Sequence, residues 1–72
     1  METIREQLES YIKDLEWDKQ ETNKRYDKLL SLIDNEEDQS KKRDYLSELA
    51  NTAGKYDTLK NTIECLKDII KQ

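Results

Sequence analysis

Hydrophobic residues recur along the first half of the chain at intervals of three and four residues. At about 100° per residue, such positions fall on one face of an α-helix. The stripe consists of Ile4, Leu8, Tyr11, Ile12, Leu15, Thr22, Tyr26, Leu29, Leu30 and Ile33. Thr3 followed by Glu6 forms a capping-box pattern, in which side chains satisfy free N–H groups at a helix start. We therefore predict a helix over about residues 3–33.

This stripe contains one irregular step. The alternation of four and three holds as far as Leu15, after which an extra four-residue step leads to Thr22, with Lys19 in the weak position between them. An insertion of this kind is a stutter, which locally unwinds a coiled coil.

The second half of the chain carries a regular heptad seam. Its steps alternate between four and three without interruption through Tyr45, Leu49, Thr52, Tyr56, Leu59, Ile63, Leu66 and Ile70. The pattern predicts a second helix that begins at about residue 36 or 41 and ends at about residue 71. Gly54 costs a helix about 1 kcal/mol relative to Ala. A break near Gly54 would give three helices instead of two.

Polar and acidic residues separate the two patterns over residues 34–40. Asp34, Asn35 and Ser40 suit helix caps, and acidic residues in the first turn of the next helix would complement its dipole. We predict a tight turn here. Two long helices joined by a short turn fold back antiparallel. The expected fold is thus an all-α helical hairpin with coiled-coil-like packing, in one domain over residues 1–72.

Several apolar residues lie off or at the margins of the two stripes, so that a single hairpin would leave some of them exposed: Leu32, Leu46, Ala50, Ala53 and Ile69. A chain of 72 residues has a marginal core. One cysteine allows no internal disulfide. We therefore predict a homodimer in which two hairpins form a helical bundle. The core and dimer contacts are assigned to Leu8, Tyr11, Leu15, Tyr26, Leu29, Tyr45, Leu49, Tyr56, Leu59, Ile63, Leu66 and Ile70.

The residue inventory argues against catalysis. There is no histidine, and the single glycine cannot form a phosphate-binding loop. Cys65 lies among acidic residues that disfavour a thiolate, and we interpret it as a small, partly buried apolar residue. A calcium loop starting at Asp34 would need Gly and Glu where Gln39 and Tyr45 stand. We predict no enzyme activity, no catalytic residue, no metal and no cofactor.

Net charge bears on the partner and on the location. A charge of −4 and a pI near 4.8 argue against direct nucleic-acid binding. Residues 1–23 hold seven acidic and three basic residues, and residues 34–38 add four acidic ones without a basic one. No apolar run approaches the roughly 20 residues of a membrane span, and the N-terminus lacks the apolar core of a signal peptide. We expect a cytoplasmic protein with no membrane partner.

Trp17 is the most informative single residue. A helical wheel places it nearly opposite the apolar stripe, among carboxylates, and Trp is enriched at binding hot spots. Burial in a dimer interface is the alternative. The candidate partner-binding residues are Asp14, Glu16, Trp17, Asp18, Glu21, Asp34, Glu36, Glu37 and Asp38.

In size, acidity, helical content and expected dimerisation, the chain resembles small acidic bacteriophage proteins that mimic DNA. The resemblance is one of overall type, and no functional residue is carried over from it. It implies an inhibitor, in the host cytoplasm, that binds a basic, nucleoid-type DNA-binding protein. The alternative is a structural or adaptor coiled coil whose heptad seam mediates assembly.

Overall fold

The computed structural model describes residues 3–71 and contains two α-helices, α1 (Ile4–Asn35) and α2 (Gln39–Lys71). They pack along their length as an antiparallel hairpin that measures 54 × 18 × 13 Å. The described residues include no strand. The predicted all-α helical hairpin is confirmed. In this part of the chain, neither helix is long and apolar enough to cross a membrane.

Side chains define both ends of α1. The Glu6 backbone N–H donates to Thr3 Oγ1 at 3.1 Å, and the Thr3 hydroxyl donates to Glu6 Oε1 at 3.2 Å. The predicted Thr3–Glu6 capping pair therefore forms, with the carboxylate accepting from the hydroxyl. At the other end, Asn35 Nδ2 donates to the Ser31 carbonyl at 2.9 Å, and extended backbone at Glu36 ends the helix.

The turn is shorter than predicted, because only residues 36–38 separate the helices. Asp38 caps α2: its Oδ1 accepts from the backbone N–H of Ser40 at 2.9 Å and of Lys41 at 3.4 Å. Of the three residues predicted to suit helix caps, Asn35 bonds a late carbonyl of α1, whereas Asp34 lies within α1 and Ser40 lies within α2. The first turn of α2 carries no acidic residue, contrary to expectation, because the acidic run ends at Asp38.

α2 is continuous through Gly54, so the three-helix alternative is wrong. Gly54 has no positive φ, and a Cβ built at this position has no neighbouring atom within 4 Å. The packing of α2 against α1 along its length overrides the low helix propensity of one glycine.

The core is a single layer between the helices. Ile12 and Leu15 pack against Ile63, and Leu59, Leu66 and Ile70 surround them. Leu29 is fully buried and Ile63 is 3% exposed.

Two polar residues fill the irregular step of the first stripe. Thr22 is buried, and its hydroxyl donates to the Asp18 carbonyl at 2.7 Å. Lys19 is half-buried, with its ammonium 5.7 Å from the centre of the Tyr56 ring, within cation–π range.

Every residue assigned to the core or dimer contacts is buried or half-buried in the hairpin except Tyr11, which is 52% exposed. Tyr11 is therefore not part of the hairpin core, and its assignment to dimer contacts stays a prediction. Ile4 and Leu30, also placed on the stripe, are exposed. Neighbouring positions point about 100° apart, so Ile12 and Leu29 occupy the seam that Tyr11 and Leu30 only flank.

The residues predicted at the margins behave largely as expected. Leu46 is 49% and Ile69 is 54% exposed, while Leu32 and Ala53 are half-buried. The prediction of a partly buried Cys65 was wrong, because this residue is exposed. It lies two positions from Ile63, hence about 200° around the helix from the seam.

Candidate functional site on the faces of the hairpin

The hairpin is a thin plate with a shallow groove between the helices on each broad side. One side, the Trp17 face, has a groove of about 310 Å³ lined by Trp17, Asp18, Glu21, Thr22, Arg25, Thr52 and Lys55. The other side, the Leu30 face, has two grooves. The middle one contains Asn23, Tyr26, Ala53, Tyr56 and Asp57. The one at the open end contains Glu9, Ile12, Lys13, Glu16, Lys67, Ile70 and Lys71.

The two faces lie opposite each other by helix geometry. Arg25 and Asn23 are two residues apart on α1, as are Lys55 and Asp57 on α2. Two helical steps turn the side chain through about 200°. The two faces therefore present different residues and can contact different partners.

Trp17 stands on a helical strip with three carboxylates. Asp14, Trp17, Asp18 and Glu21 are spaced i, i+3, i+4 and i+7, which places them next to one another on α1. We call these four residues the Trp17 strip. The indole is 62% exposed in the hairpin, and all three acidic residues are exposed.

Basic groups border this strip. Lys24 Nζ lies 3.2 Å from Glu21 Oε1, and Arg25 Nη2 lies 2.9 Å from Glu48 Oε1 across the groove. Exposed ion pairs of this kind contribute about 0–1 kcal/mol, so they can be exchanged for pairs with a partner. The strip can offer an aromatic face and carboxylate acceptors to a guanidinium or ammonium group.

Glu16 lies outside the strip although it was predicted with it. Lys67 Nζ reaches its Oε1 at 2.8 Å, and both groups border the groove of the Leu30 face. The hydrogen bond from Lys67 and its positive charge lower the pKa of Glu16, and partial desolvation opposes this shift. Glu16 is therefore engaged in joining the two helices.

The acidic residues of the turn form a second, separate group. Glu36 accepts from the Asp38 backbone N–H at 3.1 Å and Asp38 caps α2, while Asp34 and Glu37 are exposed. At 1.5 Å per residue, about 28 Å of α1 separate Trp17 from Glu36. The structure brings Asp14, Trp17, Asp18 and Glu21 together and leaves the turn acids apart from them.

The Leu30 face is the surface that sequence reasoning missed. Leu30 follows Asn23 by seven residues and Leu46 precedes Ala53 by seven, so both lie on this face, one heptad nearer the turn. They are 40% and 49% exposed. The signal in the sequence is the heptad spacing on both helices. Counting steps of seven beside the seam would have placed Leu30 and Leu46 on the same face.

Among residues 3–71, no group of three or more His, Cys, Asp or Glu side chains is arranged to hold a metal ion. The fold defines an all-α antiparallel hairpin that presents two chemically different faces. Comparison with protein-family models, with curated proteins and with solved structures yields no match. The resemblance to DNA-mimicking phage proteins is untested by these comparisons and stays a prediction.

Proposed function

We propose that this chain is a non-enzymatic protein-binding protein that docks a basic surface of its partner on the Trp17 strip. One observation carries the proposal: a tryptophan that is 62% exposed although it is surrounded by carboxylates. Exposing a large indole to water costs free energy in an isolated hairpin. That cost is removed when a partner covers the ring.

The strip suits arginine in particular. A guanidinium group stacks on an indole and also donates in pairs to a carboxylate, so one arginine of a partner could satisfy Trp17 and Asp18 or Glu21 together. Acidic charge would also speed the encounter with a basic partner.

DNA-binding proteins present basic surfaces of this kind to phosphates. We therefore take the partner to be a basic DNA-binding protein, of the nucleoid type, and the action to be inhibition by competition with DNA. Asp34 and Glu37 would extend the acidic surface along the hairpin.

The adaptor alternative works through the heptad seam. That seam is occupied within the chain, where Leu29 is 0% and Ile63 is 3% exposed. A partner could reach it only if the hairpin opened, which favours the Trp17 strip as the binding surface.

The test is affinity capture from a bacterial lysate with matched variants. Asp18→Asn with Glu21→Gln removes two charges from the strip, and Asp27→Asn with Asp57→Asn removes two from the other face. We expect the strip variant and Trp17→Ala to weaken capture at least tenfold, about 1.4 kcal/mol or more. The control should bind like the wild type.

Duplex DNA and salt supply the second arm. A captured partner that binds DNA should be released by added duplex and by rising salt, since charge contacts are screened. Capture that survives molar salt, or that the strip variants leave unchanged, would contradict the proposal.

A further inference from the structure

The hairpin exposes far more surface than a compact protein of its mass. Its accessible surface is 5820 Å² for a mass of 8.6 kDa. A compact monomer of this mass exposes about 4,700 Å². The excess, on the order of 1,100 Å², is comparable to the roughly 800 Å² that each partner contributes to an ordinary protein interface. A plate 54 Å long and 18 Å wide has one broad face of sufficient size.

The two faces differ in what lines the floor of their grooves. On the Leu30 face, Ile12 and Ile70 lie at the open end, and Tyr26 and Ala53 lie in the middle. Nearer the turn the half-exposed Leu30 and Leu46 continue this apolar floor.

On the Trp17 face the groove contains the hydroxyl residues Thr22 and Thr52, and the Arg25–Glu48 ion pair crosses it. A close-packed contact on that face would remove water from the charged Arg25 and Glu48, which costs desolvation free energy. The Trp17 face also exposes Trp17, Tyr11 and Ile69, but its groove floor is polar. The Leu30 face, whose floor is apolar, is thus the better surface for a close-packed contact.

Charges at the edges of the Leu30 face indicate what covers it. Steps of seven along α1 give Glu9, Glu16, Asn23 and Leu30, whereas steps of seven in the opposite direction along α2 give Lys67, Lys60, Ala53 and Leu46. Asn23 and Ala53 line one groove, so the two series stay approximately level along the antiparallel hairpin. Along these two series the α1 positions are acidic where the α2 positions are basic, and both series are apolar near the turn. Lys13 of α1 and Asp57 of α2, which line the same grooves, are the exceptions to this sign rule.

We propose that a second copy of this chain covers the Leu30 face, with both turns at the same end of the dimer. A two-fold axis parallel to the helices then places α1 of each copy against α2 of the other. Leu30 meets Leu46, and Glu9 and Glu16 meet the lysines at the matching heptad positions. The opposite orientation would place α1 against α1, with Glu9 opposite Leu30 and Glu16 opposite Asn23.

This surface is distinct from the Trp17 strip, so the proposal goes beyond the partner-binding function and stands or fails separately. In this dimer the two Trp17 faces point outward on opposite sides. Each copy keeps its strip free for a partner.

Sedimentation equilibrium of matched variants tests the choice of face. We expect the wild-type chain to sediment at twice 8.6 kDa. Leu46→Glu should raise the dissociation constant at least tenfold while circular dichroism shows retained helix, because Leu46 is already 49% exposed. The control, Ile69→Glu, changes a residue that is 54% exposed two heptads from Lys55 on the Trp17 face, and it should remain dimeric. A monomeric wild type at all concentrations, or dissociation by the Ile69 variant alone, would overturn the proposal.

A distance measurement tests the orientation. Glu37→Cys in a Cys65→Ser background places one spin label in each turn. If both turns lie at the same end of the dimer, the two labels lie within about two helix diameters, roughly 20 Å, of each other. A separation near the hairpin length of 54 Å would show the opposite orientation and refute this part of the proposal.

Discussion

At the scale of single residues, two polar side chains occupy positions of the α1 stripe where the helical period predicts apolar ones. Thr22 is 6% exposed, and its hydroxyl donates to a backbone carbonyl one turn earlier. Lys19 is half-buried on the seam, and its ammonium lies over the Tyr56 ring. Both residues satisfy their polar groups locally, so the stutter in the pattern does not interrupt α1.

Gly54 offers a direct test of helix propensity. Its backbone is helical and a Cβ would enter open space, so Gly54→Ala should stabilise the chain by about 1 kcal/mol. Thermal unfolding followed by circular dichroism should show a midpoint about 4–8 °C higher, the shift expected for a chain of this size. A lower midpoint would mean that the added methyl group meets a neighbour.

The Glu16–Lys67 pair predicts a pH dependence. The pKa of Glu16 is lowered below its ordinary value of 4.5 by Lys67, so the pair stabilises the fold above pH 4.5. This contribution is lost as the pH falls through the lowered folded-state value.

NMR titration of the Glu16 carboxyl group measures this effect. Lys67→Met should return the pKa of Glu16 toward its ordinary value and make stability less dependent on pH in the acid range. An unchanged titration in this variant would show that Lys67 is not the cause of the shift.

At the scale of the helices, short side chains decide where each helix begins and ends. Thr3 and Asp38 accept from the free backbone N–H groups at the two helix starts, and Asn35 donates to a late carbonyl of α1. The three-residue turn depends on this local bonding, because no hydrophobic residue lies within it.

Asp38, the cap of α2, is therefore expected to contribute more to the free energy of unfolding than its acidic neighbours do. Asp38→Ala should destabilise the hairpin by about 1 kcal/mol, whereas Asp38→Asn keeps a side-chain acceptor and should cost much less. Urea denaturation compares these variants with Glu37→Ala, an exposed neighbour. Equal losses in the Asp38→Ala and Glu37→Ala variants would contradict the role of Asp38 as the cap.

At the scale of the whole molecule, the dominant fact is the thinness of the plate. The chain buries one layer of side chains, and Ile12, Leu15, Leu29, Ile33 and Ile63 are the buried hydrophobic residues of the described chain. A core of this size gives marginal stability. Association through the Leu30 face would add a second apolar layer.

Stability should consequently depend on protein concentration. If folding is coupled to dimerisation, the thermal midpoint of the wild type rises with concentration by mass action. The Leu46→Glu midpoint should be lower and nearly independent of concentration. A wild-type midpoint that stays constant over a hundredfold dilution would argue that the hairpin folds alone.

Much of the fold was predictable from the chain. Apolar positions with a helical period, the lack of proline and one polar interruption predicted an all-α hairpin. The residues assigned to core or dimer contacts are buried or half-buried except Tyr11. The cap at Asp38 was harder to predict, because the polar residues at 34–40 include several with capping side chains. Adjacent apolar pairs such as Tyr11 and Ile12 were ambiguous, since the period alone does not say which member faces the partner helix.

The sequence by itself determined the helical segments, the seam of each and the position of Trp17 opposite the seam of α1, because these follow from the helical period and from local bonding. Only the tertiary structure decided which residues share a face. It paired Glu16 with Lys67 of α2, and it placed Leu30 and Leu46 on the same face. These relations depend on the register between two helices, which is set by packing across the seam and by the length of the turn.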